Sequence, residues 1–242
     1  MNLKPMFSKR SVVIAIIAAL LLCSCAAVSN LLPEEKATSV LSGREGVDGQ
    51  LLAVKIDDTN MAHPQIGLED AEIVYIEQVE GGLTRLAAIF STVIPERVGP
   101  VRSARISDID ILSQFGRVAF AYSGAQQKLL PVISAANLVD LGAQRQSPKI
   151  YTTDPTRSQP YAMVLRADLL MQKVVEDQLA VDSAKNIGFV FGELQEGGIP
   201  TQKVVMNWPA ATYSAEWSDQ ESRWLLSHNN KLNLAESGLV LG

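Results

Sequence analysis

Short apolar runs separated by polar, glycine-rich breaks follow one another along the chain after residue 50. Runs of this length that are rich in β-branched residues predict strands. The break Glu80-Gly81-Gly82 lies between two of these runs, and a three-residue break of this kind predicts a hairpin. Residues 118–122 form the most apolar of these runs, which is typical of a central strand that is covered on both faces. The predicted strands are residues 51–56, 73–79, 84–90 and 118–122.

Three longer stretches predict helices. Residues 103–112 place isoleucine and leucine at helical spacing, and residues 126–136 predict a helix that is broken near Pro131. Residues 164–179 keep an apolar period of 3.6 residues and predict the clearest helix. Because strands and helices alternate, we predict a layered α/β domain over residues 50–182.

The pattern changes after Asp182 to short segments in which apolar and polar residues alternate. Such segments at near-regular spacing predict antiparallel strands. Sixty residues are few for a closed β domain, so we expect residues 183–242 to be the start of a β-rich C-terminal domain. The predicted strands are residues 189–191, 203–206, 212–217 and 223–226.

The N-terminus has the three parts of a secretory signal peptide. Basic residues come first, and residues 12–22 are an apolar run of eleven residues. A membrane-spanning helix needs about 20 apolar residues, so this run is too short and instead fits the apolar core of a signal peptide over residues 1–24. The segment Leu22-Cys23-Ser24-Cys25 resembles the bacterial lipobox, in which the last cysteine is lipidated. The alternative is an ordinary signal peptide that is cleaved nearby, for example after Ala27.

Lipidation of Cys25 would anchor the mature chain to the bacterial membrane on the extracytoplasmic side. Stable anchoring needs more than one acyl chain, and lipoproteins of this kind typically carry two or three. Residues 25–49 are polar, and we predict that they form a tether between the anchor and the first domain. The membrane, reached through this lipid, is therefore the first expected partner.

Composition excludes several classes of function. The net charge is -5, and it becomes -8 when the three basic residues of the signal peptide, Lys4, Lys9 and Arg10, are removed. An acidic chain of this kind is not expected to bind nucleic acid or anionic lipid through a basic surface. Cys23 and Cys25 are the only cysteines, so the mature protein has no disulfide and no thiol nucleophile.

Histidine is also scarce, with only His63 and His228. They lie in different segments without the spacing typical of metal ligands, so the sequence predicts no metal site. His63 precedes Pro64 in a turn-like stretch and is expected at the surface. No nucleotide-binding fingerprint appears, and we expect no cofactor.

Three polar segments, residues 55–60, 77–85 and 99–105, lie where predicted strands or turns meet loops or a helix start. In open α/β sheets such ends are where ligands bind. Guanidinium groups match the oxygens of anions in two-point geometry, and glycines let the backbone approach a ligand. The candidate ligand-binding residues are Asp57, Asn60, Glu77, Glu80, Gly81, Gly82, Thr84, Arg85, Arg102, Ser103, Arg105 and Asp108.

Internal ion pairing is the competing explanation for these charges. Arg85 could pair with Glu77 or Glu80, and Arg102 or Arg105 could pair with Asp57 or Asp108, without binding any ligand. We favour a mixed site that is part paired and part open. Two functions remain: a binding or scaffold module for an anionic or polyhydroxyl ligand or an envelope protein, and a hydrolase of wall glycans that uses Asp57, Glu77 and Glu80.

Several of these segments carry a resemblance to a known family. They are residues 64–68, 71–75, 80–85, 99–105 and 150–152, and the Glu-Gly-Gly-Leu-Thr-Arg and Gly-Pro-Val-Arg-Ser-Ala-Arg segments are the most specific. The chain resembles the YerB, or DUF3048, family of bacterial lipoproteins. The resemblance implies a layered α/β fold, a lipid anchor and a second domain that the β-rich tail would begin, but no activity. His63 departs from the residue that the family usually has before Pro64, so the resemblance gives His63 no shared catalytic role.

Overall fold

A five-stranded mixed sheet is the centre of the computed structural model, which describes residues 36–192 and 197–232. Its strand order is β2-β3-β1-β5-β6. β1 is antiparallel to β3 and parallel to β5, and β2 and β3 form an antiparallel hairpin. The strands are β1 (Leu52–Asp57), β2 (Ile73–Gln78), β3 (Thr84–Phe90), β5 (Val118–Ala121) and β6 (Leu138–Asp140). The predicted strands and the hairpin at Glu80–Gly82 are confirmed.

The central sheet is covered on both faces. In β1, Leu52, Val54 and Ile56 face one apolar cluster, whereas Ala53 faces the other. This alternation explains why the sequence of β1 is almost continuously apolar. Lys55 is the exception, because it is fully buried on the second face.

Three α-helices occur among the described residues. They are α1 (Ser107–Ser113), α2 (Leu130–Ala135) and α3 (Ala167–Glu176). The predicted helix over residues 126–136 begins as a 3-10 turn, Gln127–Leu129. Pro131 lies in the first turn of α2, where it starts the helix instead of breaking it.

A second, three-stranded sheet has the order β4-β8-β7. Its strands are β4 (Arg97–Val98), β7 (Tyr151–Thr153) and β8 (Met163–Arg166). The prediction of one helix over residues 164–179 is wrong at its start, because Val164 and Leu165 are fully buried in β8. Together these sheets and helices confirm the predicted α/β fold.

The C-terminal part is an antiparallel meander with the order β12-β11-β10-β9. Its strands are β9 (Lys203–Trp208), β10 (Ala211–Ser218), β11 (Arg223–His228) and β12 (Lys231–Leu232). Three of the predicted strands are confirmed, whereas residues 189–191 are not in a strand. Asn229 Nδ2 donates a hydrogen bond to Asn60 Oδ1 at 3.0 Å, and Ala210 N donates one to Gly82 O at 3.1 Å.

Residues 37–49 pack against the α/β domain instead of forming a tether. Leu41 is fully buried in the second apolar cluster, and Arg44 donates hydrogen bonds to the carbonyl oxygens of Asp70 and Ala71. The tether prediction is therefore wrong for these residues, because polar side chains here bind the domain's backbone. The predicted signal peptide, Cys25 and the remainder of the tether to residue 35 lie outside the described residues. None of the helices in the described part is both long and apolar enough to span a bilayer.

Candidate functional site

The three polar segments converge at the carboxyl end of β1. The register places Asp57 opposite Arg85 of β3, and Arg85 opposite Glu77 of β2. The side chains of these three residues and of Lys55 all lie on the same face of the sheet, which α1 covers. The expectation that strand ends bring these charges together is met by the geometry.

Lys55 is the buried cation at the base of this arrangement. Its Nζ donates hydrogen bonds to Glu77 and, at 2.8 Å, to Asp108 Oδ1. The Ser107 hydroxyl also donates to Glu77, and Arg105 N donates to Asp108 Oδ2 at 2.6 Å. Burial raises the pKa of Asp108 to about 6; Lys55 opposes this shift, whereas the nearby Glu77 adds to it. Lys55, Glu77 and Asp108 therefore form a closed charge network, which we call the Lys55 network.

Asp57 is also held internally. Its Oδ2 lies 2.6 Å from Arg102 Nε in an ion pair, and its Oδ1 accepts hydrogen bonds from the backbone N–H and the hydroxyl of Thr59, both at 2.7 Å. The side chain of Asp57 is 1% exposed, so this carboxylate has no access to solvent. The pairing of Arg102 with Asp57 was one of the alternatives that the sequence left open.

The Arg85 side chain binds a backbone carbonyl group of the candidate segment 99–105. Its Nη1 donates a hydrogen bond to Ser103 O at 3.0 Å, and it forms no ion pair with any residue that the structure describes. Burial, together with the positive charges of Arg105 and Arg102, lowers the pKa of Arg85 to about 10. The alternative in which Arg85 pairs with Glu77 or Glu80 does not occur, because Lys55 and Arg105 bind those two carboxylates.

Arg105 and Glu80 form the outermost pair. Arg105 donates to Glu80 Oε2 from Nε at 2.9 Å and from Nη2 at 2.7 Å. This hydrogen bonding is the main reason that the pKa of Glu80 lies below its usual value. Glu80 is 60% exposed and Arg105 is 19% exposed, so this pair, unlike those below it, reaches the surface.

A cavity of about 350 Å³ opens beside this pair, and we call it the Arg105 cavity. Its lining combines apolar and charged side chains. Ile106 and Val132, which are 61% and 40% exposed, contribute accessible apolar surface to this lining. The lining residues are Glu80, Ala104, Arg105, Ile106, Gln126, Lys128, Leu129 and Val132.

Four predicted site residues have other positions. Thr84 donates its hydroxyl to buried Asp58, and Asn60 is exposed and bound to Asn229. Gly82 has a φ of +72°, and Pro209 lies so close that an added Cβ would be 2.6 Å from the Pro209 Cβ. Gly81 has open space around it. Gly82 is therefore required by packing against the C-terminal sheet, and neither glycine lines the Arg105 cavity.

Sequence reasoning missed Lys55 and a second polar group around Asp58. Lys55 lies in the candidate segment 55–60, and its position inside an apolar strand is the signal that it needs buried partners. Asp58 is fully buried and accepts hydrogen bonds from Thr84 and from Tyr213 of β10. His63 and His228 both lie beside Asp58, although their sequence spacing indicated no relation.

Comparison with known families gives the relationship of this chain. Residues 38–180 match the N-terminal domain of the family described as "Protein of unknown function (DUF3048)". The chain belongs to the DUF3048 family. The resemblance expected from the sequence motifs is confirmed, and residues 38–49 of the predicted tether fall within the matched domain.

Two comparisons with YerB of Bacillus subtilis extend this family assignment. The chain is 41% identical over 73 residues to "Putative lipoprotein YerB" of Bacillus subtilis (strain 168), which is 30% of this chain and 22% of that protein's length. The crystal structure of the YerB protein from Bacillus subtilis superimposes with a TM-score of 0.66 at 20% identity. That match covers 82% of this chain and 69% of the YerB chain, and it shows that the two share a fold.

Proposed function

We propose that this DUF3048 protein is a lipid-anchored binding module of the bacterial cell envelope, which holds an anionic ligand with an apolar part in the Arg105 cavity. The supporting observation is the exposure of a cationic and apolar wall in one cavity. In the lining of this cavity, Arg105 and Lys128 supply positive charge, and Ile106 and Val132 supply exposed apolar surface. An acidic segment of a partner protein that also carries apolar side chains would complement both the charge and the apolar surface.

The other charges of the site favour a supporting role. The carboxylates of the Lys55 network and Asp57 are buried and are bound by cations of the chain itself. Arg105 is different because Glu80, the only carboxylate that its side chain pairs with among the described residues, is itself exposed and can be replaced by an incoming anion. An anion that reaches Arg105 would also lie near Arg85, whose guanidinium forms no ion pair with a described residue.

The hydrolase alternative has little support. Glycoside hydrolysis needs two carboxyl groups that face each other across a cleft at about 5 to 9.5 Å. Asp57 and Glu77 are buried and bound to cations, and Glu80 is bound to Arg105. No two of these three acids remain available to act as acid and base on a substrate.

The lipid anchor on Cys25 is part of the proposal. It is supported by the lipobox-like segment Leu22-Cys23-Ser24-Cys25 and by the name of the YerB relative. Because the mature chain would carry a net charge of -8, acyl chains are the proposed means of membrane attachment. The expected location is the extracytoplasmic face of the bacterial membrane.

A thermal-shift screen tests the ligand proposal. Sugar phosphates, wall fragments, dicarboxylates and acidic peptides that contain apolar residues are added to the purified chain, and the unfolding midpoint is measured. We expect the acidic peptides with apolar residues to raise it. We expect this shift to be lost in Arg105→Gln and kept in Arg145→Gln, a control whose partner is Asp140. No shift with any compound, or equal shifts in both variants, contradicts the proposal.

A further inference from the structure

The group around Asp58 contains a buried carboxylate without a permanent cation. The side chain of Asp58 is fully buried. Its hydrogen-bond donors are the hydroxyls of Thr84 and Tyr213 and, at 3.3 Å, Gln65 Nε2, all of which are neutral. Among the described residues, only His63 and His228 come within 4.0 Å of it as possible cations. An uncompensated buried carboxylate is costly, so the arrangement favours a positive charge at this position.

His228 supplies the second observation. It is 4% exposed, and its Nε2 is buried and has no hydrogen-bond partner in the described part of the chain. That nitrogen lies 4.0 Å from Asp58 Oδ2, which is too long for a hydrogen bond. Burial lowers the pKa of His228; Asp58 opposes this shift, and His63 adds to it. His228 therefore presents a buried ring nitrogen without a partner, which can act as a metal ligand in the tautomer that carries its proton on Nδ1.

His63 completes the set and lies in the same loop after β1 as Asp58. Its Nε2 lies 3.2 Å from Asp58 Oδ1, and its ring stacks on that of His228 with 4.4 Å between the centroids. One ligand atom from each of Asp58, His63 and His228 lies within 4.8 Å of the other two. A metal ion with bonds of about 2.0 to 2.2 Å to nitrogen and oxygen fits between atoms at such separations after a small closure.

We propose that Asp58, His63 and His228 bind a divalent transition-metal ion of the zinc class. Two imidazoles and one carboxylate suit Zn²⁺ and its neighbours, whereas Mg²⁺ and Ca²⁺ prefer oxygen ligands alone. The lone pair of an imidazole lies in the plane of its ring, and the two stacked planes are nearly parallel, with 13° between them, so both rings cannot point at one ion as they stand. Binding therefore requires one ring to turn out of the stack, and His63 is the more exposed of the two, at 18% against 5% for its side chain.

The surroundings have two features of a metal site with an open position. Thr84, Tyr213 and Gln65 orient the carboxylate, as hydrogen-bonded residues around metal ligands do. A cavity of about 320 Å³, lined in part by Asp58, Asn60, His228 and Asn229, adjoins the group. Three protein ligands leave a fourth position of a tetrahedral ion, and this cavity gives a water or ligand oxygen access to it.

The site also joins two parts of the fold. Asp58 and His63 follow β1, whereas His228 ends β11 of the C-terminal sheet. A bound ion would cross-link the C-terminal sheet to the α/β domain next to the hydrogen bond from Tyr213 to Asp58. The site is separate from the Arg105 cavity and does not rest on the function proposed for it.

Titration with Zn²⁺ tests the inference. The full chain is purified in detergent without a histidine tag and with Cys23→Ser and Cys25→Ser, so that thiols contribute nothing. We expect calorimetry to give one bound ion per chain and Mg²⁺ or Ca²⁺ in excess not to compete. His63→Gln and His228→Gln should each weaken binding at least about tenfold, because each removes a direct ligand. Asp154→Asn, which removes a buried carboxylate elsewhere, should bind as the parent does.

Circular dichroism shows whether each variant keeps its fold, and a second measurement needs no variant. Co²⁺ added to the parent chain should give the strong visible absorption of a four-coordinate ion with nitrogen and oxygen ligands, and acidification below the histidine pKa should abolish it. The inference is overturned by an absence of Zn²⁺ binding, by unchanged binding in a folded double histidine variant, or by only the weak spectrum of hydrated Co²⁺.

Discussion

Lys55→Met is the perturbation that examines the buried charge network most closely. Methionine has nearly the length of lysine, so it fills the same space and removes the charge. Glu77 and Asp108 are then left as two neighbouring carboxylates with side chains that are 7% and 0% exposed. Their repulsion and the lost partner both oppose folding.

The expected magnitude follows from this burial. Removing one partner of a buried ion pair costs about 3 to 5 kcal/mol, because the other charge stays desolvated. Protonation of Asp108 can relieve part of that cost. The pKa of Asp108 is about 6 with Lys55 present, and it rises further without this cation. An acid whose pKa is raised in the folded state makes the protein less stable as the pH increases. The parent already loses a little stability in this way between pH 6 and pH 7, so the penalty should grow by at most about 1 kcal/mol over that range.

Urea unfolding followed by circular dichroism at both pH values gives these free energies. Lys203→Met is the matched control, because Lys203 and Glu216 form an ion pair in which both side chains are more than half exposed. The control should lose less than about 1 kcal/mol at either pH. In Lys55→Met, addition of Asp108→Asn should restore part of the stability, since it removes one of the two buried charges.

Two results would refute this reasoning. One is a cost of Lys55→Met as small as that of Lys203→Met at pH 7. The other is a penalty that is equal at pH 6 and pH 7, which would mean that Asp108 does not become uncompensated when Lys55 is removed.

Three further predictions concern other parts of the chain. Gly82→Ala should destabilise the protein by about 1 kcal/mol or more beyond Gly81→Ala in urea unfolding, because both have positive φ but only Gly82 lies against Pro209; equal costs would exclude that contact. Burial raises the pKa of Glu72, but hydrogen bonds from Ser42 and Thr92 outweigh it and lower the pKa below 4.5. Stability should therefore be lost as the pH falls through that depressed pKa, and Glu72→Gln should show a flatter loss in acid unfolding; an unchanged slope would contradict this. Cys25→Ser should release the protein from the membrane fraction without changing its circular dichroism, and continued lipid labelling would disprove the anchor.

Local patterns predicted those elements whose sequence decides their structure. β1, β2 and β3 are short β-branched runs, and the Glu80–Gly82 turn fixes their hairpin. Val164 and Leu165 were assigned to a helix because a short apolar run before a helix has the same composition as the helix. Residues 37–49 look like a tether by polarity alone, yet Leu41 and Arg44 bind the folded domain.

That the candidate charges lie close together was predictable from the sequence, but their pairing was predictable only in part. Ends of strands brought the candidate charges together, and the pair of Arg102 with Asp57 was among those considered. The partners of Lys55 were not predictable, because a lysine inside an apolar strand indicates that it needs partners but not which residues they are. His63 and His228 meet only after the C-terminal sheet has packed on the α/β domain, and no sequence spacing indicates such a contact.

Titration calorimetry with the acidic peptide that gives the largest thermal shift tests the central claim most directly, since it measures binding at the Arg105 cavity. The double variant Arg105→Gln/Lys128→Gln removes both cations from the lining of the cavity and leaves the Lys55 network in place. A lost hydrogen bond to a charged group costs about 1.5 to 3 kcal/mol, so binding should weaken at least about tenfold. Arg145→Gln should bind as the parent does. Equal affinity of the double variant and the parent would contradict the account.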